Sequence, residues 1–520
     1  MKSISLLVLL IQGLFVVKAL SSTSPTTSVS ATTTKPPTYK KKCIVIGGGP
    51  VGLATAITLA NEPHCMDVTI FEQATPSTYD PTKAYLYMVN GRGQTWTQRF
   101  PQVQDLLIER GSAVSGGMGN LCIVPADPNE PIPEPKAITQ GMDSEKVVNK
   151  ESYWIPRHTM TELLEEVIQQ QKESNSGECG TIDLRLGMRF VSMETVDRGN
   201  MLKVTVQNTK DPENRFEETA IAPFVVGADG AKSQVRECLA DDVTKPLKVN
   251  WLHNKPKKFR VKKWTSPASD LRMKVLQFPP GFKIPNADGT YLQTQSETVY
   301  AIRSVNKGPR NYVSLGLLPM KDPNGIRPTN VITRPNHDVW KLKSGDEIRE
   351  WFVAAFPRLD LDEMIHDNEW ERFARAQGTS FPKCQYCPGL EVSSPDGSAG
   401  VALVGDACHA FPPDIGQGIN MGLQDVEALD RALVGRDLTT NEQSQTPATL
   451  GAALKTYEKV HAPEVASIIR LARFGSPYQY RQPLYKDRIG RFLWTMNVAF
   501  RLLLNKLSFG IIPPAAIMMA

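Results

Sequence analysis

The feature that most restricts how this chain can fold is the run Gly47-Gly48-Gly49-Pro50-Val51-Gly52. It stands between an apolar β-branched stretch, Cys43 to Ile46, and a helical pattern from Leu53 to Ala60. Val68 to Phe71 reads as a second short buried strand, and Glu72 follows it directly. Strand, glycine turn, helix and strand in that order predict a βαβ unit, which commits the sheet it begins to parallel pairing. In such a unit the first glycine permits a tight turn, the second lets backbone N–H groups approach a pyrophosphate, and the third brings helix and strand together. Gly47, Gly49 and Gly52 occupy those places, with Pro50 and Val51 between the last two. Glu72 stands where a carboxylate would accept hydrogen bonds from adenosine ribose hydroxyls. The pattern predicts a dinucleotide site and leaves NAD and FAD open; the plainer reading is a tight structural turn.

The rest of the chain has room for more than this unit. Its 520 residues, 41% of them hydrophobic, suffice for two or more packed units. Basic residues number 59 and acidic 54, so the charge total makes no case for a nucleic-acid partner. Of eight cysteines, only Cys384 and Cys387 are spaced as C-x-x-C, and one such pair is thin support for zinc, so no metal site is expected. Gly111 to Ser152 is broken by Gly and Pro and shows no long periodic element, whereas His158 to Lys172 has helical spacing. Leu184 to Val206 alternates like strands. Ala222 to Gly227 is a buried strand running into Ala228-Asp229-Gly230, and Val401 to Val404 is another, followed by Gly405-Asp406 and a helix from about Gly422 to Leu433. Val249 to Leu318 alternates as an antiparallel sheet would.

Phe224 to Arg236, with Gly227-Ala228-Asp229-Gly230 at its centre, resembles the Asp-Gly motif of single-component FAD-dependent aromatic monooxygenases. Leu403 to His409, continuing through Pro413 to Gly416-Gln417-Gly418-Ile419-Asn420, resembles their Gly-Asp motif. Within that family the chain is most similar to the kynurenine 3-monooxygenases, from about Lys41 onward. The resemblance implies FAD, with NADPH or NADH as a transient co-substrate. It also implies O2 and a small aromatic substrate hydroxylated through a flavin hydroperoxide. It places Asp406 on a flavin ribityl or ribose hydroxyl, and Pro413, Gly416, Gly418, Ile419 and Asn420 at the flavin's pyrimidine edge. Asp229 and Gly230 fall at the pyrophosphate and nicotinamide, and the plain alternative for Asp229 is a turn aspartate. Arg157 matches an arginine that opens a helix beside the flavin, and Arg92 matches a second family arginine; a surface arginine is the bland reading of each. Two positions depart from the pattern. Lys83 replaces an arginine that holds the substrate carboxylate, losing the bidentate fork, and Asp414 replaces an aromatic residue. A carboxylate there disfavours a second carboxylate, which puts kynurenine itself in doubt. No catalytic acid or base is named.

The fold class expected is α/β, or α+β overall: a Rossmann-like FAD-binding βαβ domain with a parallel sheet, an interleaved antiparallel substrate domain and a helical C-terminal region. The FAD-binding parts are expected at 41–115, 151–240 and 376–440, with a substrate-domain excursion at 116–150 and the substrate domain at 241–375. Residues 1–20 read as a signal peptide and 21–40 as a transit-like linker rich in Ser and Thr, implying the secretory route, then a secondary plastid or, alternatively, the ER. In the C-terminal region, 450–520, Phe492, Met496, Phe500, Leu503 and Leu507 mark an amphipathic helix. It suits an interfacial membrane anchor or a helix packed on the fold. Rival functions are an epoxidase or quinone-pathway hydroxylase on the same fold, and a non-catalytic prenyl-protein-binding module.

Overall fold

The computed structural model describes residues 42–512 apart from 76–84, 115–116, 140–150, 175–178, 210–215, 241–255, 309–310, 437–445, 476 and 481. Residues 1–20 and 21–40 and Lys83 lie outside the described residues.

β1 (Lys42–Ile46) enters the glycine turn, α1 (Pro50–Ala60) leaves it, and β2 (Asp67–Glu72) returns parallel to β1. β3 (Ile182–Leu186), β4 (Phe224–Gly227), β5 (Glu391–Ser393) and β6 (Gly400–Leu403) complete a six-stranded sheet of order β5-β6-β4-β1-β2-β3. Only the β5–β6 pair is antiparallel. β1, β4 and β6 are buried on both faces, which is why they read as continuous apolar runs. Because β1, β4 and β6 are adjacent and parallel, the turns that follow them emerge at one edge of the sheet.

The second sheet has seven strands, in the order Thr379–Ser380, Arg272–Phe278, Arg327–Thr333, Ser314–Leu317, Thr298–Arg303, Gly117–Val124 and Lys136–Thr139. It departs from the antiparallel expectation at one seam, where Thr298–Arg303 pairs parallel with Gly117–Val124. That eight-residue strand arises from a stretch whose sequence shows no long element. Its partner lies far along the chain, and glycines interrupt the local alternation. A short strand, Ser112–Val114, precedes it. The helices Gly345–Ala355 and Asp367–Arg375 supply Ile348, Phe352, Trp370 and Phe373 to this sheet's own core.

Four further helices matter for the site: α2 (Gly91–Thr97), α3 (Arg157–Ser174), α4 (Gly418–Val434) and α5 (Leu450–Phe474). α4 starts four residues before the expected Gly422. Its first turn, Gly418-Ile419-Asn420-Met421, lacks an ordinary capping residue, so tertiary bonds and not local propensity fix the start. The last helix, α6 (Tyr485–Leu507), buries only Asp487 and Val498. No described helix is long and apolar enough to cross a membrane.

Candidate active site

The glycine turn is built from three different constraints. Gly47 sits at φ +110°, and a Cβ there would stand 2.4 Å from the Ala228 carbonyl oxygen. Such a φ is open to glycine and costly for other residues. A Cβ on Gly52 would stand 1.9 Å from the Gly47 oxygen, so α1 can approach β1 only with glycine there. Around Gly49, by contrast, there is nothing within 4 Å. Gly49 is also the N-cap of α1, and no side chain caps that end. Open space beside uncapped N–H groups at a helix N-terminus suits an anion. Glu72 is held over the same turn, its Oε2 accepting from the Gly48 N–H at 2.6 Å and its Oε1 from the Ala74 N–H at 2.7 Å.

The turns after β4 and β6 meet this one. Asp229 Oδ2 accepts from the N–H groups of Gln234 and Val235, at 2.6 and 3.1 Å, and so caps the short helix Gln234–Leu239. Its Oδ1 is buried and has no partner, and burial pushes its pKa up against the opposing hydrogen bonds. The turn role and a buried, unpartnered oxygen coexist in one side chain. Gly230, at φ +79°, has nothing within 4 Å. Val51 wedges between the other two segments: a Cβ on Gly422 would lie 2.5 Å from its Cγ2, and one on Gly405 3.1 Å from its Cγ1. Small residues at 405 and 422 let α1 and α4 cross over the turn after β6.

Asp406 projects from that turn and is exposed. The protein around it nonetheless pushes its pKa up, opposed by His409 and Arg157. Arg157 begins α3 and is exposed, with its guanidinium 5.4 Å above the Tyr85 ring. The Tyr85 and Tyr87 hydroxyls lie 3.4 Å apart. Tyr85, Tyr87, Asp406 and Glu72 all act to raise the Arg157 pKa, Tyr85 most. These groups therefore lie near one another, around the candidate cleft. Tyr85 also packs with Tyr480 and Ile332 on the buried cluster Ala268, Leu271, Met273 and Phe381, which joins the cleft to the second sheet.

The segment before α4 packs beside the strand Leu86–Val89. Pro413 is exposed, Gly416 adopts φ +60°, and Gly418 opens the helix exposed, with nothing within 4 Å and no side-chain cap. Ile419 is buried. Asn420 is fully buried and committed: Nδ2 donates to the Met88 and Gly416 oxygens at 2.8 and 3.1 Å, and Oδ1 accepts from the Asn90 N–H at 3.0 Å. Its side chain fastens the helix start to the strand Leu86–Val89. Asp414 is 4% exposed, neither carboxyl oxygen has a hydrogen-bond partner, and burial pushes its pKa up to about 8. It lies close enough to Cys384 and Tyr480 to raise the pKa of both.

Arg92 is turned elsewhere. Its Nη1 meets the Met421 sulfur at 3.2 Å, and the side chain lines a small groove of about 140 Å³ with Gln424, Glu427 and Glu464. Two groups behind the cleft were not legible as functional. Arg236 is buried and donates to the Ala407 and Ala231 oxygens at 2.6 and 3.0 Å, tying the Asp-Gly segment to the Gly-Asp segment. Asp425 accepts from the Gly405 N–H at 2.6 Å and lies 2.8 Å from His409 Nε2 and 2.5 Å from His461 Nε2. Burial alone would lower the His461 pKa, but Asp425 and Glu464 raise it to about 9, while the two histidines depress that of Asp425. Cys408, His409 and Asp425 are close enough to hold a metal ion, though the carboxylate is already engaged by this network. His409 lies inside the Gly-Asp motif; the spacing to Asp425 and His461 carries no local signal.

Residues 137–444, more than half of the chain, match a family model described as the FAD binding domain. The chain belongs to the FAD binding domain family. The FAD-dependent monooxygenase penM of Penicillium crustosum is 34% identical over 92 residues, 18% of this chain and 20% of that protein. Kynurenine 3-monooxygenase of Saccharomyces cerevisiae is 26% identical over 259 residues, 48% of this chain and 47% of that one. The chain thus matches between a fifth and a half of these relatives' length. Among solved structures, 2-methyl-3-hydroxypyridine-5-carboxylic acid oxygenase in its tetrameric form is similar with TM-score 0.52 and 17% identity, covering 83% of this chain and 90% of that chain. Tetracycline destructase Tet(55) is similar with TM-score 0.52 and 15% identity, covering 88% and 96%. At such identities these two likenesses speak for the fold alone. The residues at the cleft suit FAD: two uncapped helix N-termini, Gly49 and Gly418 with open space before them, and an exposed Asp406.

Proposed function

We propose that the chain is an FAD-dependent monooxygenase that consumes NAD(P)H and hydroxylates an electron-rich aromatic small molecule. The observation that carries this reading is the meeting of three distant segments around one cleft: the turn at Gly47 to Gly52, Asp406 with Arg157, and the open N-terminus of α4. The monooxygenase relatives support it. Bound FAD supplies the carriage of two electrons to O2 and the insertion of one oxygen atom into the ring, the other leaving as water.

The protein's own part is binding, orientation and exclusion of water. The first turns of α1 and α4 would offer N–H groups to the pyrophosphate and to the pyrimidine edge, where reduction places negative charge. Glu72 would hold the adenosine ribose and Asp406 a ribityl hydroxyl. Asp414 is buried with neither oxygen partnered, and that burial favours its neutral form at pH 7. That changes the objection to kynurenine. A neutral carboxyl does not repel a carboxylate by charge, but it offers no aromatic wall, and Lys83 offers no bidentate fork. Kynurenine is therefore expected to stimulate NADPH oxidation weakly or not at all. The experiment is a screen of phenols and aromatic amines with the FAD-loaded protein, following NAD(P)H consumption together with peroxide release. A substrate is expected to give hydroxylated product with consumption exceeding peroxide. Peroxide equal to NAD(P)H consumed for every aromatic compound overturns the reading, and robust 3-hydroxykynurenine formation overturns the exclusion of kynurenine.

A second reading concerns α6. Phe492, Leu493, Met496, Phe500, Leu503 and Leu507 are each more than half exposed, so no described part of the fold covers this face. We infer that it lies in a membrane interface, with Lys486, Arg488 and Lys506 near the headgroups. Deleting residues 486–520 is expected to shift the protein from vesicle-bound to free in a sedimentation assay with anionic vesicles, and unchanged sedimentation contradicts it.

A further inference from the structure

Six of the eight cysteines are buried; Cys65 and Cys179 are half-exposed, and they face each other with their sulfurs 3.6 Å apart. The pairing is not a chance meeting of two surface side chains. The backbone on either side is fixed: the Gly180 N–H donates to the Ala60 oxygen at 3.0 Å and the Val68 N–H to the Thr181 oxygen at 2.8 Å. The Thr181 N–H donates to Asp67 Oδ1 at 3.1 Å. Gly180 lies so flush on the preceding turn that a Cβ would come within 1.9 Å of the Met66 oxygen and 2.8 Å of the Cys65 carbonyl carbon. Thus the β2–β3 ladder extends back to the two cysteines and holds them in register. Cys65 itself sits at φ +47°, a region where glycine or asparagine is the relaxed choice. A thiol is kept in an unfavourable backbone position, opposite a second thiol, at a place that reagents in solution can reach.

From this geometry we propose that Cys65 and Cys179 form a disulfide when the protein meets an oxidising disulfide such as oxidised glutathione. The thiolate of one cysteine attacks a glutathione sulfur, releasing one glutathione thiol and leaving a mixed disulfide. The second thiolate then attacks the protein-bound sulfur and releases the other. Two protein thiols lose two electrons and two protons, and one glutathione disulfide becomes two thiols. A disulfide bond is about 2 Å long, so closure requires the sulfurs to approach by about 1.5 Å, within reach of side-chain rotation. The bond would span 114 residues, tying the chain just before β2, the strand that ends at Glu72, to the chain entering β3. α3 and Arg157 lie inside the closed loop. Such a bond persists only where the compartment is oxidising. Its state in the native protein therefore reports the redox state of the protein's compartment, independently of what the cleft catalyses.

The test uses the full chain, folded and incubated with oxidised glutathione, after which remaining thiols are alkylated and the digest is examined by mass spectrometry without reduction. The expected result is a peptide pair joined through Cys65 and Cys179, two hydrogens lighter than its reduced parts. Cys65→Ser should leave Cys179 carrying glutathione. Melting should occur at a higher temperature for the oxidised wild type than for the reduced, a difference that Cys179→Ser abolishes. Glutathione or alkyl label on Cys65 and Cys179 separately, with no joined pair, overturns the proposal. So does an equal melting shift in Cys179→Ser. The labelling result on wild type stands whether or not either variant folds.

Discussion

Asp414 shows how burial changes what a residue letter means. In the sequence it reads as a charge; in the fold both of its oxygens are buried without a partner. Its folded pKa, about 8, lies above the ordinary carboxyl value. The neutral form is thus favoured in the native state. Stability on its account is fully present below about pH 4, where both states are protonated, and is lost as pH rises toward 8. Asp414→Asn has no proton to lose. Relative to wild type it should gain stability between pH 5 and 8, at up to about 1.4 kcal/mol per pH unit. Urea midpoints at the two pH values check this, and a gap that stays constant contradicts it. Asp229 was ambiguous in the sequence between a turn residue and a ligand contact, since both need a carboxylate before glycine. The structure uses one oxygen for the first and leaves the other buried and unpaired.

At the scale of elements, the site rests on contacts between helices that local patterns do not encode. α4 carries Asp425, α5 carries His461, and between them they hold the Gly405 N–H from which Asp406 projects. His461 has its folded pKa raised to about 9. Its ion pair therefore contributes fully below the unfolded value near 6.5 and is lost as pH rises through 9. Asp425, depressed, adds stability above about pH 4 that is lost on acidification. His461→Gln should cost on the order of 3 kcal/mol near pH 6, converting the shift at 1.36 kcal/mol per unit, and almost nothing near pH 10. A cost independent of pH, read from denaturation midpoints, contradicts this account of the network. The sequence gives little hint of it, because Asp425 and His461 lie 36 residues apart on different helices. The early start of α4 was hidden for the same reason, its first turn being held by the Asn420 bonds to Met88 and Asn90.

For the whole molecule, what the sequence showed best were segments whose chemistry is local. β1, β4 and β6 could be read because full burial demands unbroken apolar runs, and the glycine turn because only glycine meets its sterics. The second sheet was half legible: its alternation was visible, but the parallel seam between Gly117–Val124 and Thr298–Arg303 was not, since register between distant strands leaves no mark on either. Arg92 is the site position whose surroundings the sequence indicated least, its guanidinium lying in the groove between α4 and α5. This architecture is expected to hold one FAD. The most direct test is to incubate the purified full chain with FAD, remove unbound cofactor by gel filtration, and record the absorption spectrum and the flavin released on denaturation. One FAD per chain, with the two-band spectrum of oxidised flavin, is the expected result; a folded, colourless protein that retains no FAD would contradict it.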